Sequence, residues 1–216
     1  MEFIEVTGLI QRFEALAKLF IFGSALFVFS VSAFAQPTKP ELRTELLTMR
    51  DRDQAARNAC PNGNADEQLK CYVKVSEEVD RPHTQRLNEI VRTYGVPDAG
   101  LVGKDGIESY YLVLQHSNDP KLKEKSLKGM EKAFKAKQLS AADYANYTDR
   151  LLVNLGKPQV YGANFDLKDG KMVMSPTKDI KNLDRRRKSI GLPPIAEYMK
   201  MLEEVYKIPA VMTESK

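Results

Sequence analysis

Apolar side chains that recur at helical spacing are the feature that most constrains the fold of this chain. Leu87, Ile90, Val91 and Tyr94 follow the i, i+3, i+4, i+7 spacing of one helix face. Related patterns cover most of residues 41–206, and glycine or proline separates one pattern from the next. The sequence therefore predicts a mainly α protein with a single compact helical domain.

The middle of this domain carries the most apolar stretch. Residues 107–117 are apolar nearly all round, which fits either a buried strand or a buried helix. Because helical patterns flank the stretch on both sides, we expect a central helix. Residues 98–106 precede it and contain three glycines, so we expect a loop there.

A short β-hairpin is expected after the helices. Residues 159–167 and 171–174 alternate in polarity, and Lys168-Asp169-Gly170 supplies a turn between them. Further helices follow as far as Tyr206. Residues 207–216 are expected to form a flexible tail.

The N-terminus has the composition of a signal peptide. Residues 19–35 are strongly apolar and end in Ala33-Phe34-Ala35, a small-x-small cleavage pattern. We expect a signal peptide over 1–35, a linker over 36–40 and an exported chain, periplasmic or secreted. The alternative is an inner-membrane anchor formed by residues 19–35, which would be the only membrane contact.

The two cysteines, Cys60 and Cys71, fit an exported chain. An even cysteine number outside the cytosol favours a disulfide bond. A bond that closes so short a loop contributes about 2–3 kcal/mol by the chain-entropy model. The alternative, a catalytic thiol, is disfavoured because the second cysteine would trap it in an oxidised form.

Charge and histidine content exclude several classes of function. The net charge is +4, and basic residues are interspersed with acidic ones, so we expect no nucleic-acid partner. The chain has two histidines at distant positions, and Pro82 interrupts the spacing between Asp80 and His83. We therefore predict no metal site and no cofactor.

The segment 147–162 concentrates polar, directional side chains around the end of a predicted helix. Gln159 and Tyr161 are two residues apart, which would place both side chains on one strand face. Together with polar residues elsewhere they suggest the wall of a ligand-binding pocket. The predicted ligand-binding residues are Asp53, Gln54, Arg57, Gln115, Asp149, Arg150, Gln159, Tyr161, Arg186 and Arg187.

Each of these residues also has a structural interpretation. Asp53 and Arg57 are four apart and could form an ordinary helix-surface pair, worth about 0.3–0.5 kcal/mol. Gln159 and Tyr161 could make cross-strand hydrogen bonds, and the basic run that contains Arg186 and Arg187 could be a solvated helix face.

His116 is the candidate catalytic residue. It ends the central apolar helix beside Gln115, so we expect it at the edge of the core. A histidine there can act as a general acid or base. Its structural alternative is a partly buried histidine with satisfied hydrogen bonds.

Five stretches together resemble a known bacterial family, the domain-of-unknown-function family 6624. Those stretches are Arg52–Arg57; Thr84–Val91 with Tyr94–Pro97; Val113–Ser117; Pro158–Gly162; and Asp184–Arg187 with Ile190–Pro194. The resemblance spans most of Leu42 to Tyr198 and implies an α-rich fold, without implying an activity. Val96 stands where the family usually has tryptophan, and the segment between the cysteines resembles an insertion.

Two hypotheses for function follow. The first is an exported protein that binds a small anionic or polar ligand, with His116 in acid–base chemistry. The second is a non-catalytic structural or protein-interaction module of the cell envelope, in which an envelope protein is the partner and the polar residues form a buried network.

Overall fold

The structure, a computed structural model, describes residues 36–61 and 65–212. Its elements in chain order are α1 (Pro40–Asn58), α2 (Ala65–Val75), a π-helical turn (Ser76–Asp80), α3 (Arg81–Tyr94), α4 (Ala99–Gln115), α5 (Pro120–Lys135), α6 (Ala141–Asn154), β1 (Phe165–Lys168), β2 (Lys171–Met174), a 3-10 turn (Ile180–Asn182), α7 (Leu183–Ser189), α8 (Ile195–Tyr206) and β3 (Ala210–Val211). The predicted mainly α fold with one small hairpin is confirmed. The predicted signal peptide, residues 1–35, lies outside the described residues. None of the helices in the described part of the chain combines the length and apolarity needed to cross a bilayer.

Helix α4 is the element on which the other N-terminal helices pack. It contacts α1, α3, α5 and α6. Tyr110, Tyr111 and Leu114 on this helix have no exposed surface. The expected central helix is therefore confirmed, and its apolar circumference follows from its having neighbours on several sides.

The start of α4 differs from the prediction. The stretch 98–106 was expected to be a loop, but the structure makes it helical from Ala99, with a break at Gly103. Asp98 caps the first turn by accepting a hydrogen bond from the backbone N–H of Leu101 at 3.1 Å. Gly103 takes φ = 75°, which lets the chain bend and resume the helix without strain.

The helices α2 and α3 are joined through a π-helical turn at a proline. Pro82 has no N–H, so the carbonyl of Glu78 receives no helical hydrogen bond from that residue. This carbonyl instead accepts from Arg52 Nη2 at 3.1 Å. The predicted disulfide between Cys60 and Cys71 is present and ties the end of α1 to α2.

The small sheet has the strand order β1-β2-β3. Strands β1 and β2 form the expected antiparallel hairpin, with Phe165 opposite Met174. The first strand is shorter than predicted, because residues 159–164 form an irregular loop. Strand β3 pairs in parallel with β2, so Ala210–Val211 belong to the sheet although the sequence assigned them to a loose tail.

A second apolar cluster lies between this sheet and helices α7 and α8. Its fully or almost fully buried members are Met172, Met174, Leu183, Ile195 and Leu202. The loop 159–164 links this cluster to α6 and the helical core. The position of this loop therefore relates the two apolar clusters to each other.

Gly162 in the linking loop gives a test of how tightly the two parts are packed. Gly162 and Gly156 both have φ = +68°, but a Cβ on Gly162 would lie 3.1 Å from Ile195 Cδ1, whereas one on Gly156 would meet nothing within 4 Å. We expect Gly156→Ala to cost about 1–2 kcal/mol for the left-handed backbone alone. Gly162→Ala should cost a further 1–3 kcal/mol or so from overpacking. Urea denaturation of the two variants measures this difference, and equal losses would show that the contact yields without cost.

Candidate functional site

The candidate site is a pocket of about 390 Å³ between α1, α4, α5 and α6, and several ionisable side chains line it. Its ionisable side chains are Arg57, Asp80, His116, Lys123 and Arg150, and its amide side chains are Gln115, Asn118 and Asn154. Two other concavities of about 500 Å³ are larger. Their linings consist mostly of exposed and half-exposed side chains, so we place the candidate site in the smaller pocket.

His116 and Asp53 form the centre of the site. Asp53 on α1 has no exposed surface, and its Oδ1 lies 2.9 Å from His116 Nδ1 at the end of α4. Gln54 Nε2 donates to the other carboxylate oxygen of Asp53 at 2.9 Å. The structure thus brings Asp53, Gln54 and His116 together, and of these three His116 lines the pocket.

Arg57 connects this pair to a second carboxylate. Its Nη2 donates to Asp80 Oδ1 at 2.5 Å and to Asp53 Oδ1 at 3.3 Å. Its Nε donates to His116 Nδ1 at 3.2 Å. All three charged side chains are at most 10% exposed, so Arg57 compensates two buried negative charges.

The two contacts of His116 Nδ1 require different protonation of the ring. A protonated Nδ1 donates to Asp53, whereas an unprotonated Nδ1 accepts from Arg57. Each tautomer therefore finds a partner at the same atom. This arrangement lets the proton on the ring change position without leaving a buried group unpaired, which suits a residue that exchanges protons.

The pKa values of Asp53 and Asp80 are shifted in opposite directions. For Asp53, burial works to raise the pKa, but the hydrogen bond and charge of His116, together with Arg57, lower the pKa below its usual value. For Asp80, burial prevails over Arg57 and His116, and the pKa is raised. Asp80 therefore takes up a proton before Asp53 as the pH falls.

Asp53, Asp80 and His116 also offer metal-ligand atoms within 4.8 Å of one another. The guanidinium of Arg57 donates to all three groups and so occupies the place of a cation among them. This geometry favours an ion-pair network over a metal centre at this position.

Lys123 and Arg150 make the opposite side of the pocket cationic. Lys123 on α5 is only 5% exposed, and Arg150 on α6 is 7% exposed. The Lys123 ammonium forms no hydrogen bond or salt bridge with any side chain in 36–61 or 65–212. Burial first, and then the charge of Arg150, lower the pKa of Lys123 to about 8.

Gln115 adds an unusual polar group beside this wall. It is 2% exposed, and neither its side-chain oxygen nor its nitrogen finds a hydrogen-bond partner within the described ranges. Its backbone carbonyl accepts from Asn154 Nδ2 at 3.1 Å. Buried amides of this kind are rare and cost free energy when they stay unpaired.

The remaining predicted residues lie in a separate network around the loop 159–164. Asp149, which has no exposed surface, accepts from the backbone N–H groups of Val160 at 2.7 Å, Tyr161 at 3.0 Å and Ala163 at 2.9 Å. Burial raises the pKa of Asp149 to about 6, against the lowering by these donors and by Arg187. The hydrogen bonds of the Asp149 side chain therefore stabilise the loop 159–164.

Gln159, Arg186 and Arg187 brace the same loop. Gln159 Nε2 donates to the carbonyls of Asn164 at 3.0 Å and Ser175 at 2.9 Å, and it is fully buried. Arg187 donates to the carbonyl of Tyr161 at 2.7 Å, and Arg186 to that of Val160 at 2.9 Å. The interpretation of Arg186 and Arg187 as a solvated helix face is wrong for Arg187, which is 2% exposed.

The expectation that Gln159 and Tyr161 share a strand face is also wrong. Neither residue lies in β1, and the Tyr161 ring packs at 5.7 Å from that of Tyr144 on α6. Among the predicted residues in and around this loop, Arg150 alone lines the pocket. Its Nε donates to Asn164 Oδ1 at 2.6 Å, so it touches both the network and the pocket.

Sequence reasoning missed Asp80 and Lys123 as members of the pocket. Asp80 is presented by the π-helical turn, for which Pro82 was the only visible signal. Lys123 precedes Leu127 by four positions and Met130 by seven. That spacing predicts that Lys123 lies on the buried face of α5, so the sequence did contain a signal for its burial.

Removal of the Asp149 carboxylate should destabilise the fold strongly. Asp149→Ala leaves three backbone N–H groups without their acceptor in the interior, so we expect the free energy of unfolding to fall by about 3 kcal/mol or more. Chemical denaturation measures the loss, and Glu204→Ala on the exposed face of α8 is the control. A loss no larger than that of the control would mean that the loop finds other acceptors.

Replacement of Lys123 by an apolar side chain should stabilise the protein. Because the pKa is 10.5 in an ordinary lysine and about 8 here, the unfolded chain binds more protons between these values. The cost of burying the ammonium is therefore fully present below pH 8 and fades as the pH rises toward 10.5. We expect Lys123→Met to gain on the order of 2–3 kcal/mol at pH 7 and clearly less at pH 10.

Urea denaturation at both pH values tests this expectation. Lys128→Met, on the exposed face of the same helix, should change stability by no more than about 0.5 kcal/mol. A loss of stability in Lys123→Met at pH 7 would show that the lysine serves the fold.

The comparisons with known proteins identify the family. Residues 40–210 match the Family of unknown function (DUF6624), which covers most of the chain. No curated protein and no solved structure matches the chain. The resemblance stated from the sequence motifs is confirmed, and the chain belongs to the Family of unknown function (DUF6624).

Proposed function

We propose that this protein binds a small organic anion in the pocket between α1, α4, α5 and α6, and that His116 with Asp53 exchanges a proton with the bound ligand. The observation that carries the proposal is the Lys123 ammonium, which is buried beside a second cation, Arg150, without a salt bridge to any described carboxylate. Buried charges are normally paired. An anionic ligand would supply the missing partner.

The distribution of charge within the pocket supports an anion over a cation. On one side, Asp53 and Asp80 both form ion pairs with Arg57. On the other side, Lys123 and Arg150 are both positive, and Lys123 has no acid at salt-bridge distance among the described residues. Three cationic side chains, Arg57, Lys123 and Arg150, thus stand against two carboxylates, so the net formal charge of the site is positive.

The hydrogen bonds of His116 support a chemical role beyond binding. Asp53 can orient the ring and stabilise its protonated form, as carboxylates do for histidines that act in acid–base catalysis. Simple anion binding does not need this pair. We therefore place proton transfer, at an atom of the ligand, in the proposal.

The alternative of a structural module is supported by a different set of residues. Asp149, Gln159 and Arg187 are fully engaged in holding the loop 159–164, as a buried network would be. We assign them this structural role and keep the ligand to the pocket. A protein partner in the envelope stays the second candidate.

The proposed location is outside the cytoplasm, in the periplasm or beyond. The apolar stretch 19–35, with its Ala33-Phe34-Ala35 cleavage pattern, supports export. The Cys60–Cys71 disulfide is compatible with an oxidising compartment. The ligand would then be a small anion that reaches that compartment.

Thermal unfolding with three simple anions tests the binding proposal. Lactate, succinate and inorganic phosphate are titrated separately into the purified protein. A ligand at about 100 times its Kd adds about 2.7 kcal/mol, which raises the midpoint by about 5–10 °C for a chain of this size. We expect at least one anion to do so.

Substitutions inside and outside the pocket test where the anion binds. The rise should vanish in Lys123→Met and in Arg150→Gln, and it should persist in Lys128→Met. A rise that survives both pocket substitutions would place the anion elsewhere. If none of the three anions raises the midpoint, the proposal of an anion pocket is wrong.

A further inference from the structure

We propose that Lys123 is a covalent site, at which its amine condenses with the carbonyl of a 2-oxo acid whose carboxylate is bound by Arg150. The inference rests on the proposed function, since it names the class of anion that the same pocket would take. It also gives Lys123 a role that anion binding alone does not require.

The position of Lys123 is that of a reactive amine and not of an anchoring cation. An anchoring lysine on a protein surface extends into water or pairs with a carboxylate. Lys123 does neither, since it is 5% exposed and has no salt bridge among the described residues. It lines a pocket that a small molecule can enter.

The surroundings of Lys123 also favour the neutral amine. Burial and the nearby Arg150 lower the pKa of Lys123 to about 8. At pH 7 about a tenth of the molecules then carry a free amine, against about one in three thousand for an ordinary lysine. Desolvation next to a second cation is a recognised way to activate a lysine nucleophile.

Arg150 supplies the second half of the recognition. It stays charged at any accessible pH, so it can hold a carboxylate while Lys123 is neutral. A ligand that satisfies both residues needs an electrophilic carbon close to a carboxylate. A 2-oxo acid has the carbonyl carbon directly bonded to the carboxylate carbon.

His116 completes the requirements for condensation. The lone pair of the Lys123 nitrogen adds to the carbonyl carbon, the C=O π electrons move to oxygen, and a proton passes from nitrogen to that oxygen. The nitrogen lone pair then forms C=N while the C–O bond breaks, and the oxygen leaves as water after it gains a second proton. The sum is one carbonyl and one protonated amine giving one protonated imine and one water, with no oxidant or reductant. His116, beside Asp53 in the same pocket, can deliver that second proton.

Reductive trapping tests the inference directly. The protein is incubated with pyruvate and sodium cyanoborohydride, which reduces an imine to a stable secondary amine, and peptides are then mapped by mass spectrometry. We expect a single adduct on Lys123. It should be absent in Lys123→Arg and unchanged in Lys128→Arg.

Arg150→Gln tests the carboxylate contact. Trapping at low pyruvate concentration should be about tenfold slower or more, because a charge-assisted hydrogen bond to the carboxylate is lost. An excess of lactate, which has the carboxylate without the carbonyl, should protect Lys123. A cooperative urea transition of Lys123→Arg, close to that of the unsubstituted protein, shows that this variant is folded.

The outcomes separate this inference from the proposed function. If lactate binds in dependence on Lys123 and Arg150 but pyruvate labels exposed lysines as fast as Lys123, the covalent site is wrong and the anion pocket stands. If no adduct forms at Lys123 and neither lactate nor pyruvate binds, this inference fails, and its parent proposal fails with it only when succinate and phosphate also leave the midpoint unchanged.

Discussion

The carboxylate of Asp149 is the interaction on which the arrangement of the whole fold depends. It lies on α6, within the helical core, yet its oxygens are used by the backbone N–H groups of the loop that leads to the sheet. A loop whose N–H groups point inward has to find acceptors there, because buried donors without partners are costly. The Asp149 carboxylate accepts hydrogen bonds from the N–H groups of three residues of this loop. The neighbouring residue, Arg150, is thereby held between the loop and the pocket.

The pocket combines an ion-pair network around Arg57 with a buried lysine, Lys123, that has no ion pair among the described residues. The Arg57 guanidinium pairs with both Asp53 and Asp80, and its charge helps to keep two carboxylates beside His116 in a buried place. Without it, burial would drive both acids to take up protons. Lys123 has no such partner in the described residues, although it lines the same space. A pocket that leaves one buried ammonium without an ion pair differs from a structural ion-pair network, in which all charges are paired.

Local signals in the sequence were sufficient for most elements of the fold. Asp119 and Ser140 belong to residue types that favour helix N-termini, and each accepts a backbone hydrogen bond at its helix start. The hairpin turn and the disulfide were also visible from residue types and spacing. The loop 159–164 was not, because its alternation of side chains is the same as that of a strand. A buried acid eleven residues or more away in sequence decides its conformation, and no local pattern reports such a contact.

The candidate site was partly predictable for the same reason. Asp53 and Arg57 were predicted because they lie four residues apart on one helix, and His116 because it is one of two histidines and ends the central apolar helix. Asp80 was missed as a pocket residue because a π-helical turn changes which side chains share a face, and helical spacing does not anticipate that shift. The division between pocket residues and loop-bracing residues also depends on tertiary contacts. Asp149 and Arg150 are adjacent in sequence, and only the three-dimensional structure assigns them to different tasks.

Lys123 shows most clearly why the pocket is better explained by a ligand than by folding. Three separate effects oppose its positive charge, namely burial, the proximity of Arg150, and its place in the first turn of α5, where the helix dipole is positive. An apolar residue would avoid all three and would fit the spacing of Leu127 and Met130 on the same face. Sequences drift away from such costs unless function opposes the change. A ligand that carries a negative charge, an electrophilic carbon or both removes the first two costs when it binds, and it makes the position of the lysine physically reasonable.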